Sequence, residues 1–358
     1  MRIDVFDYEL PEEQIAQRAI EPRDAARLLV VGRSNLSHRH VSDLADLLPE
    51  GALVVVNDTR VLPARILGKK AATGGKAEIF LLENRGRRSI DANGETRDAE
   101  IWRALGKSSK PFRFGTDVLA DPLVIHLVGR DDDGLLEVAL STRDDSSVRD
   151  AIQRAGRVPL PPYIHRDPDA HDAERYQTVF ARSDGAVAAP TAGLHLTNEL
   201  LEKVRAKGCE VASVTLHVGL GTFQPVTAVD LDAHPMHSER FEIPRATAVA
   251  IRRKKAENKP VIAIGTTVVR ALEAAASASG VIDAQQGDTR LLIQPGYRFK
   301  IIDQLLTNFH LPKSTLLALV CAFAGTDRVL ASYRAAVREK YRFYSYGDAM
   351  LLTKDEGA

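Results

Sequence analysis

From Pro63 to about Arg143 the chain reads as a series of short β-like runs with no helical periodicity, while the residues on either side alternate helix and strand. The runs are Ala64–Leu67, Ala77–Glu83, Ile101–Leu105, Leu123–Val128 and Leu135–Leu140, separated by turns such as Gly74-Gly75 and Asp131-Asp132-Asp133-Gly134. Short strands need partners for their backbone groups and cover for one apolar face, so a group of them without a helix suits a small barrel or sandwich. Within it, Ile90–Glu100 is charged and contains glycine, and it reads as an exposed loop. The fold class expected is α/β: a mixed-sheet main domain, residues 1–60 and 147–358, interrupted by an inserted small antiparallel β-barrel domain, residues 61–146. The chain's 358 residues exceed the ~250–300 at which a single core stops growing, which fits two units.

The flanks carry the helix and strand signals. Pro11-Glu12-Glu13 opens a helix, with carboxylates beside the positive dipole end. Arg27–Val31 reads as a strand and Val41–Leu48 as a short helix. Gly51–Val56 is continuously apolar, as expected of a strand covered on both faces. After it come a helix at Asn198–Lys207, a strand at Glu210–His217, a helix at Ala246–Lys255 and a buried strand at Pro260–Ile264. Helices at Thr267–Ala278, Leu316–Phe323 and Val329–Tyr341 complete the pattern.

Composition narrows the class. Lys+Arg and Asp+Glu are 48 each, so a wholly basic nucleic-acid coat is excluded, although a local basic face is not. Two cysteines, Cys209 and Cys321, cannot build a disulfide scaffold or a four-cysteine zinc site. The longest apolar run, Leu316–Gly325, is far short of the ~20 residues that cross a bilayer, and the acidic N-terminus lacks the apolar core of a secretion signal. A cytoplasmic protein with no membrane partner is expected.

Three turns after predicted strands are places for chemistry, because ligands of open α/β sheets bind beyond the carboxyl ends of strands. In Val261–Arg270 a buried strand runs into Gly265-Thr266-Thr267 at a helix start, which suits an anion or equally a plain capped turn. Gly185–Thr197 is built almost wholly of small residues and presents His195. Thr215–Pro225 contains Gly219-Leu220-Gly221 but lacks a third glycine, and Pro225 stands where a dinucleotide-binding helix would begin. A tight bend presenting His217 is the better reading. His234 and His237 have a metal-like spacing, but Pro235 breaks the helix that would align them and no His-Glu-x-x-His motif is present, so no metal is expected. Between Arg290 and Asp348, nine basic residues face four acidic ones. Tyr333, Arg334, Arg338, Lys340, Tyr341, Arg342, Phe343, Tyr344 and Tyr346 interleave charge with aromatic rings there. That pattern fits a solvated amphipathic helix, or RNA phosphates with stacked bases.

Taken together, the motifs resemble a known family. They are Asn57-Asp58-Thr59-Arg60-Val61, Pro159–Ile164, Tyr176–Phe180, Ala189–His195, Thr215–Val226, Met236–Glu239, Gly265-Thr266-Thr267, Thr307–Pro312 and Tyr341–Met350. In this order, from Leu10 to Leu352, they are similar to those of the S-adenosylmethionine:tRNA ribosyltransferase-isomerases of queuosine biosynthesis. Leu196 departs from the family pattern, which has an aromatic after the histidine.

The resemblance implies an α/β domain with an inserted β-barrel domain and an enzyme that consumes S-adenosylmethionine as a co-substrate, with no other cofactor. The ribosyl group would pass to 7-aminomethyl-7-deazaguanine at the wobble position of tRNA and isomerise to give epoxyqueuosine-tRNA, releasing adenine and methionine. It further implies a monomer. That chemistry needs a base beside the sulfonium carbon, an acid for adenine and donors for developing charge. His195, His217 and His237 are the proton-transfer candidates, with Asp58 to orient a histidine or hold ribose. Asn57, Arg60, Thr191, Gly193, Gly219, Gly221, Thr222, Glu239, Asn308 and His310 are substrate-binding candidates. Gly265, Thr266 and Thr267 suit the methionine carboxylate, with Arg270 one turn in. Arg334, Arg338, Lys340, Arg342 and Tyr344 are candidates for tRNA contact. Read from the residues alone, a histidine-ligated metal-dependent hydrolase and a non-catalytic tRNA-binding module stay open. An ordinary methyltransferase is disfavoured by the missing glycine turn.

Overall fold

The computed structural model describes residues 1–92, 94–144, 146–219 and 228–357. Its largest element follows from the apolar runs. Leu53–Asn57 and Val261–Ile264 are buried at every position and pair in parallel at the centre of a nine-stranded sheet. Glu210–Leu216 flanks Leu53–Asn57, and Gln304–Asn308 flanks Val261–Ile264, both in parallel. Beyond them the sheet turns mixed. Ala349–Thr353 runs antiparallel to Gln304–Asn308, and the outer strands are Arg27–Val31 and Leu36–His40 on one side, Glu239–Ile243 and Gln285–Thr289 on the other.

Alternate residues of the central strands feed two cores, one on each face of the sheet. Leu53, Val55, Ala263 and Leu305 pack with helices Thr266–Ala275, Thr315–Ala324 and Thr326–Arg338. Val54, Val56, Ile262, Ile264 and Leu306 pack on the other face with helices Leu44–Leu47 and Asn198–Ala206. The period-two alternation of a strand is what divides one continuous apolar run between two cores. Cys209 and Cys321 are buried, one in each core, and burial pushes the Cys321 thiol up to about 12. Leu196 is 1% exposed and fills the second core.

A second sheet has wholly antiparallel pairing and a third core of its own. Arg65–Lys70, Lys76–Ala92, Glu95–Ser108, Leu136–Thr142, Leu123–Arg130 and Asp117–Ala120 pair in that order, and Arg65–Lys70 also pairs with Asp117–Ala120. Helix Val148–Ala155 packs its Val148, Ala151 and Ile152 into this core, and Gly156–Arg157 adds a short strand.

Three sequence expectations are corrected. Ile90–Glu100 is not a loop, since Arg88, Ser89, Ile90 and Asp91 pair with Ala99, Asp98, Arg97 and Thr96 in a long hairpin arm. Its exposed strands carry alternating charge, which copies the composition of a loop. Pro11-Glu12-Glu13 opens only the three-residue 3-10 turn Glu12–Gln14. The last helix ends at Arg338 rather than Tyr341, because Lys340 takes a left-handed conformation and Tyr341 turns into the core.

Candidate active site

The four parallel strands of the main sheet end at one edge, which exposes the turns that follow Leu216, Asn57, Ile264 and Asn308. The structure gathers Asn57, Asp58, His217, Gly265, Thr266, Thr267, Asn308 and His310 at this edge.

One part of the edge is a polar cluster. Asn57 is 1% exposed and uses its whole amide: Nδ2 donates to the Leu216 carbonyl at 2.9 Å, and Oδ1 accepts from the Leu216 N–H at 3.0 Å. Its side chain thus closes the gap between two strands, and Nδ2 also reaches Thr267 Oγ1 at 3.3 Å. Asp58 accepts from Thr215 Oγ1 at 2.7 Å and from Arg182 Nη2 at 3.0 Å. His217 is held through Nδ1 by Thr59 Oγ1 at 2.8 Å, so Thr59, rather than Asp58, sets its ring. Burial and the nearby Arg240 guanidinium hold the His217 pKa below its ordinary value, opposed by Asp58, Asp184 and Glu242.

The other part is a pocket. Its walls include Thr191, Gly265, Thr266, Thr267, Asn308 and His310, together with Tyr163, Tyr176, Tyr344 and Ser345. Gly265 has φ +95 and ψ 152, a conformation open essentially to glycine, and helix Thr266–Ala275 begins directly after it. The Thr266 and Thr267 N–H groups of that first turn have no carbonyl one turn earlier to bond, whereas Val268 N–H donates to the Gly265 carbonyl at 3.2 Å. His195 closes the 3-10 turn Thr191–His195 and stands behind the pocket wall, where its Nε2 meets Asn308 Nδ2 at 3.1 Å. Burial first, then the charges of Arg342 and Arg175, push the His195 pKa down to about 4, so the ring is neutral near pH 7. Its Nε2 is therefore free to accept the Asn308 hydrogen. His310 is pushed down to about 3 by burial and lies 3.0 Å from Thr307 Oγ1 through Nε2.

The remaining expected residues are distributed more widely. Gly193 makes room for a ring, since a Cβ there would stand 2.8 Å from Phe180. Gly219 lies just past the His217 turn, whereas Gly221 and Thr222 fall outside the described residues. Glu239 and Arg270 form a buried ion pair with each other, and Arg270 Nε donates to the Leu291 carbonyl at 3.2 Å. His237 is exposed, two residues before Glu239, and is not part of the pocket wall. Arg60 is exposed, 3.8 Å from Asp184, and lines a separate polar cleft with Arg157 and Gln177. Among the described residues no three His, Cys, Asp or Glu side chains converge as metal ligands would.

At the C-terminal end, Arg334, Arg338 and Lys340 are exposed. Arg342 is half-buried and tied to Asp348, its N–H donating to Oδ2 at 2.8 Å. The interleaved aromatics are not a stacking surface, because Tyr333, Tyr341 and Phe343 are 0% exposed within the first core. Tyr344 faces the pocket, edge-on to Tyr163 with ring centres 3.7 Å apart. The sequence reading passed over Thr59, Thr215 and Arg182, as well as Tyr163, Tyr176 and Ser345. Thr59, Tyr163 and Tyr176 stand inside motifs already noted, but nothing local showed that their side chains meet.

Comparison with known proteins agrees in extent with these motifs. A family model described as queuosine biosynthesis protein matches residues 3–352. The S-adenosylmethionine:tRNA ribosyltransferase-isomerase of Sorangium cellulosum (strain So ce56) is 56% identical over 368 residues, covering 98% of each chain. The protein of the same name from Anaeromyxobacter sp. (strain Fw109-5) is 49% identical over 355 residues and 99% of each chain. The crystal structure of S-adenosylmethionine tRNA ribosyltransferase from Thermotoga maritima superposes with a TM-score of 0.53 at 34% identity, covering 97% of this chain and 99% of that one. No single helix among the described residues is long and apolar enough to cross a membrane.

Proposed function

The chain belongs to the queuosine biosynthesis protein family, and from that premise we propose how its strand edge performs the S-adenosylmethionine:tRNA ribosyltransferase-isomerase reaction. The enzyme moves the ribosyl group of S-adenosylmethionine to tRNA. Its acceptor is the aminomethyl nitrogen of 7-aminomethyl-7-deazaguanine at the wobble position, and the product is epoxyqueuosine-tRNA with adenine and methionine released. The observation that carries this reading is the family match across residues 3–352, together with the convergence of its motifs on one sheet edge.

In this reading the first turn of helix Thr266–Ala275 takes the methionine carboxylate, with the Thr266 and Thr267 N–H groups and the positive helix end supplying the attraction. His217 is the base. It is only half-buried, it is held by Thr59, and its lowered pKa keeps it neutral near pH 7, where it can accept the proton beside the sulfonium. His195 is a positioning residue, since it is wholly enclosed and its Nε2 is engaged by Asn308. Asp58, held by Thr215 and Arg182, places its carboxyl group near His217. The Glu239–Arg270 pair buttresses the helix behind Thr267.

Residues 61–146 act as an inserted β-barrel-like domain, a reading supported by the ring of antiparallel pairs, and helix Val148–Ala155 with strand Gly156–Arg157 carries its core and sheet past residue 146. The tRNA lies along Arg334, Arg338, Lys340 and Arg342, whose chain continues into Tyr344 at the pocket wall. The protein works as a cytoplasmic monomer and needs no cofactor besides the S-adenosylmethionine it consumes. The test follows adenine. Adenine and methionine are expected in equal amounts and only when tRNA carrying the aminomethyl base is present. Metal-dependent hydrolysis, or binding of tRNA without release, would refute the reading.

A further inference from the structure

The pocket holds two buried polar atoms that the fold leaves unsatisfied. Asn308 is 3% exposed and Tyr176 is 0% exposed, both line the pocket, and neither Asn308 Oδ1 nor Tyr176 Oη has a hydrogen-bond partner. Such atoms are rare in folded proteins, and in a pocket wall they mark where a ligand supplies the missing group. The Asn308 amide cannot simply turn round. Its Nδ2 donates to the Tyr344 carbonyl at 3.0 Å and faces His195 Nε2 at 3.1 Å, which fixes Oδ1 as an acceptor without a donor. Tyr176 stays protonated because burial raises its pKa. Its hydroxyl therefore carries a hydrogen for which the fold provides no acceptor.

An open acceptor and an open donor in one aromatic pocket specify a ligand edge with a donor beside an acceptor. Adenine has that edge, its N6 amino group lying between the ring acceptors N1 and N7. The base of the tRNA acceptor also carries a donor beside an acceptor, N1–H next to O6, so it is the reach of this pocket to the helix start that favours adenine. Tyr163 and Tyr344 supply aromatic wall for a flat ring. Gly265, Thr266 and Thr267 line the same pocket, so the helix start assigned to the methionine carboxylate and the two open polar atoms face one space.

We propose that this pocket is the adenine subsite, with Asn308 Oδ1 accepting from the N6 amino group and Tyr176 donating to a ring nitrogen. The assignment rests on the functional reading given above and adds to it the part of the co-substrate that these residues select. His195 then acts through Asn308, holding the amide so that its carbonyl faces the base.

The experiment compares binding of S-adenosylmethionine and S-inosylmethionine to the full-length protein without tRNA. The inosyl analogue replaces the N6 donor by an acceptor and the N1 acceptor by a donor. It is expected to bind at least about a hundredfold more weakly, as sites built around specific hydrogen bonds discriminate. Tyr176→Phe, which removes only the hydroxyl, is expected to weaken S-adenosylmethionine about tenfold. Equal affinity for the two compounds overturns the subsite, and unchanged affinity in Tyr176→Phe overturns the part given to Tyr176. Ribosyl transfer to tRNA is measured on the same wild-type preparation. Transfer with equal binding refutes the subsite alone, and absence of transfer refutes the functional reading on which it rests.

Discussion

His195 and His310 show what burial does to a single side chain. Their pKa values fall from 6.5 to about 4 and about 3, because the surroundings disfavour the charged ring. Above 6.5 neither residue changes stability, since both are neutral in the folded and unfolded chain. As pH falls below 6.5 the unfolded chain binds protons that the folded chain refuses, and stability drops by about 1.4 kcal/mol per pH unit for each ring until its folded pKa is reached. Urea unfolding at about pH 7.5 and about pH 5 measures this slope. His310→Gln is expected to lower the slope by one ring's share, and an unchanged slope would show that His310 is not held neutral.

At the scale of elements, the junction of strand Val261–Ile264 with helix Thr266–Ala275 depends on Gly265 at φ +95. Gly265→Ala is expected to cost about 1–3 kcal/mol through backbone strain. It should also weaken S-adenosylmethionine binding, because Thr266 and Thr267 move with the helix start. Thermal unfolding and equilibrium binding would register the two effects, and an unperturbed affinity would remove the helix start from the co-substrate site. This junction was legible in the sequence, since an apolar strand, a glycine and two threonines are local signals. So were Leu53–Asn57 and most of the helices. The edge strands Leu36–His40 and Gln285–Thr289 were not, because they are short and largely exposed and lack an apolar face. Asp117–Ala120 has only four residues and stops just before Pro122, too little for a periodic pattern. The hairpin arm escaped notice because cross-strand pairing, not composition, makes it a strand. Within the site, His217 was legible as a residue, but its tie to Thr59 spans 158 positions and no spacing rule reaches it.

Across the whole molecule, the neutral charge total conceals an uneven distribution. Residues 1–60 hold seven basic and eleven acidic side chains, whereas residues 290–348 hold nine and four. Arg334, Arg338 and Lys340 stand exposed at the basic end, whereas Arg342 is partly spent on Asp348. Arg338→Glu combined with Lys340→Glu should therefore weaken tRNA binding about tenfold or more and flatten its salt dependence by roughly one unit of slope per lost phosphate contact, while leaving the fold intact. Unchanged affinity and slope would move the tRNA to another face. The most direct measurement of the proposed activity uses S-adenosylmethionine labelled with one isotope in the ribose and another in the methyl group, incubated with tRNA bearing the aminomethyl base. Ribose transfer predicts that the ribose label enters tRNA while the methyl label leaves as methionine. Methyl label in tRNA, or neither label there, would contradict it.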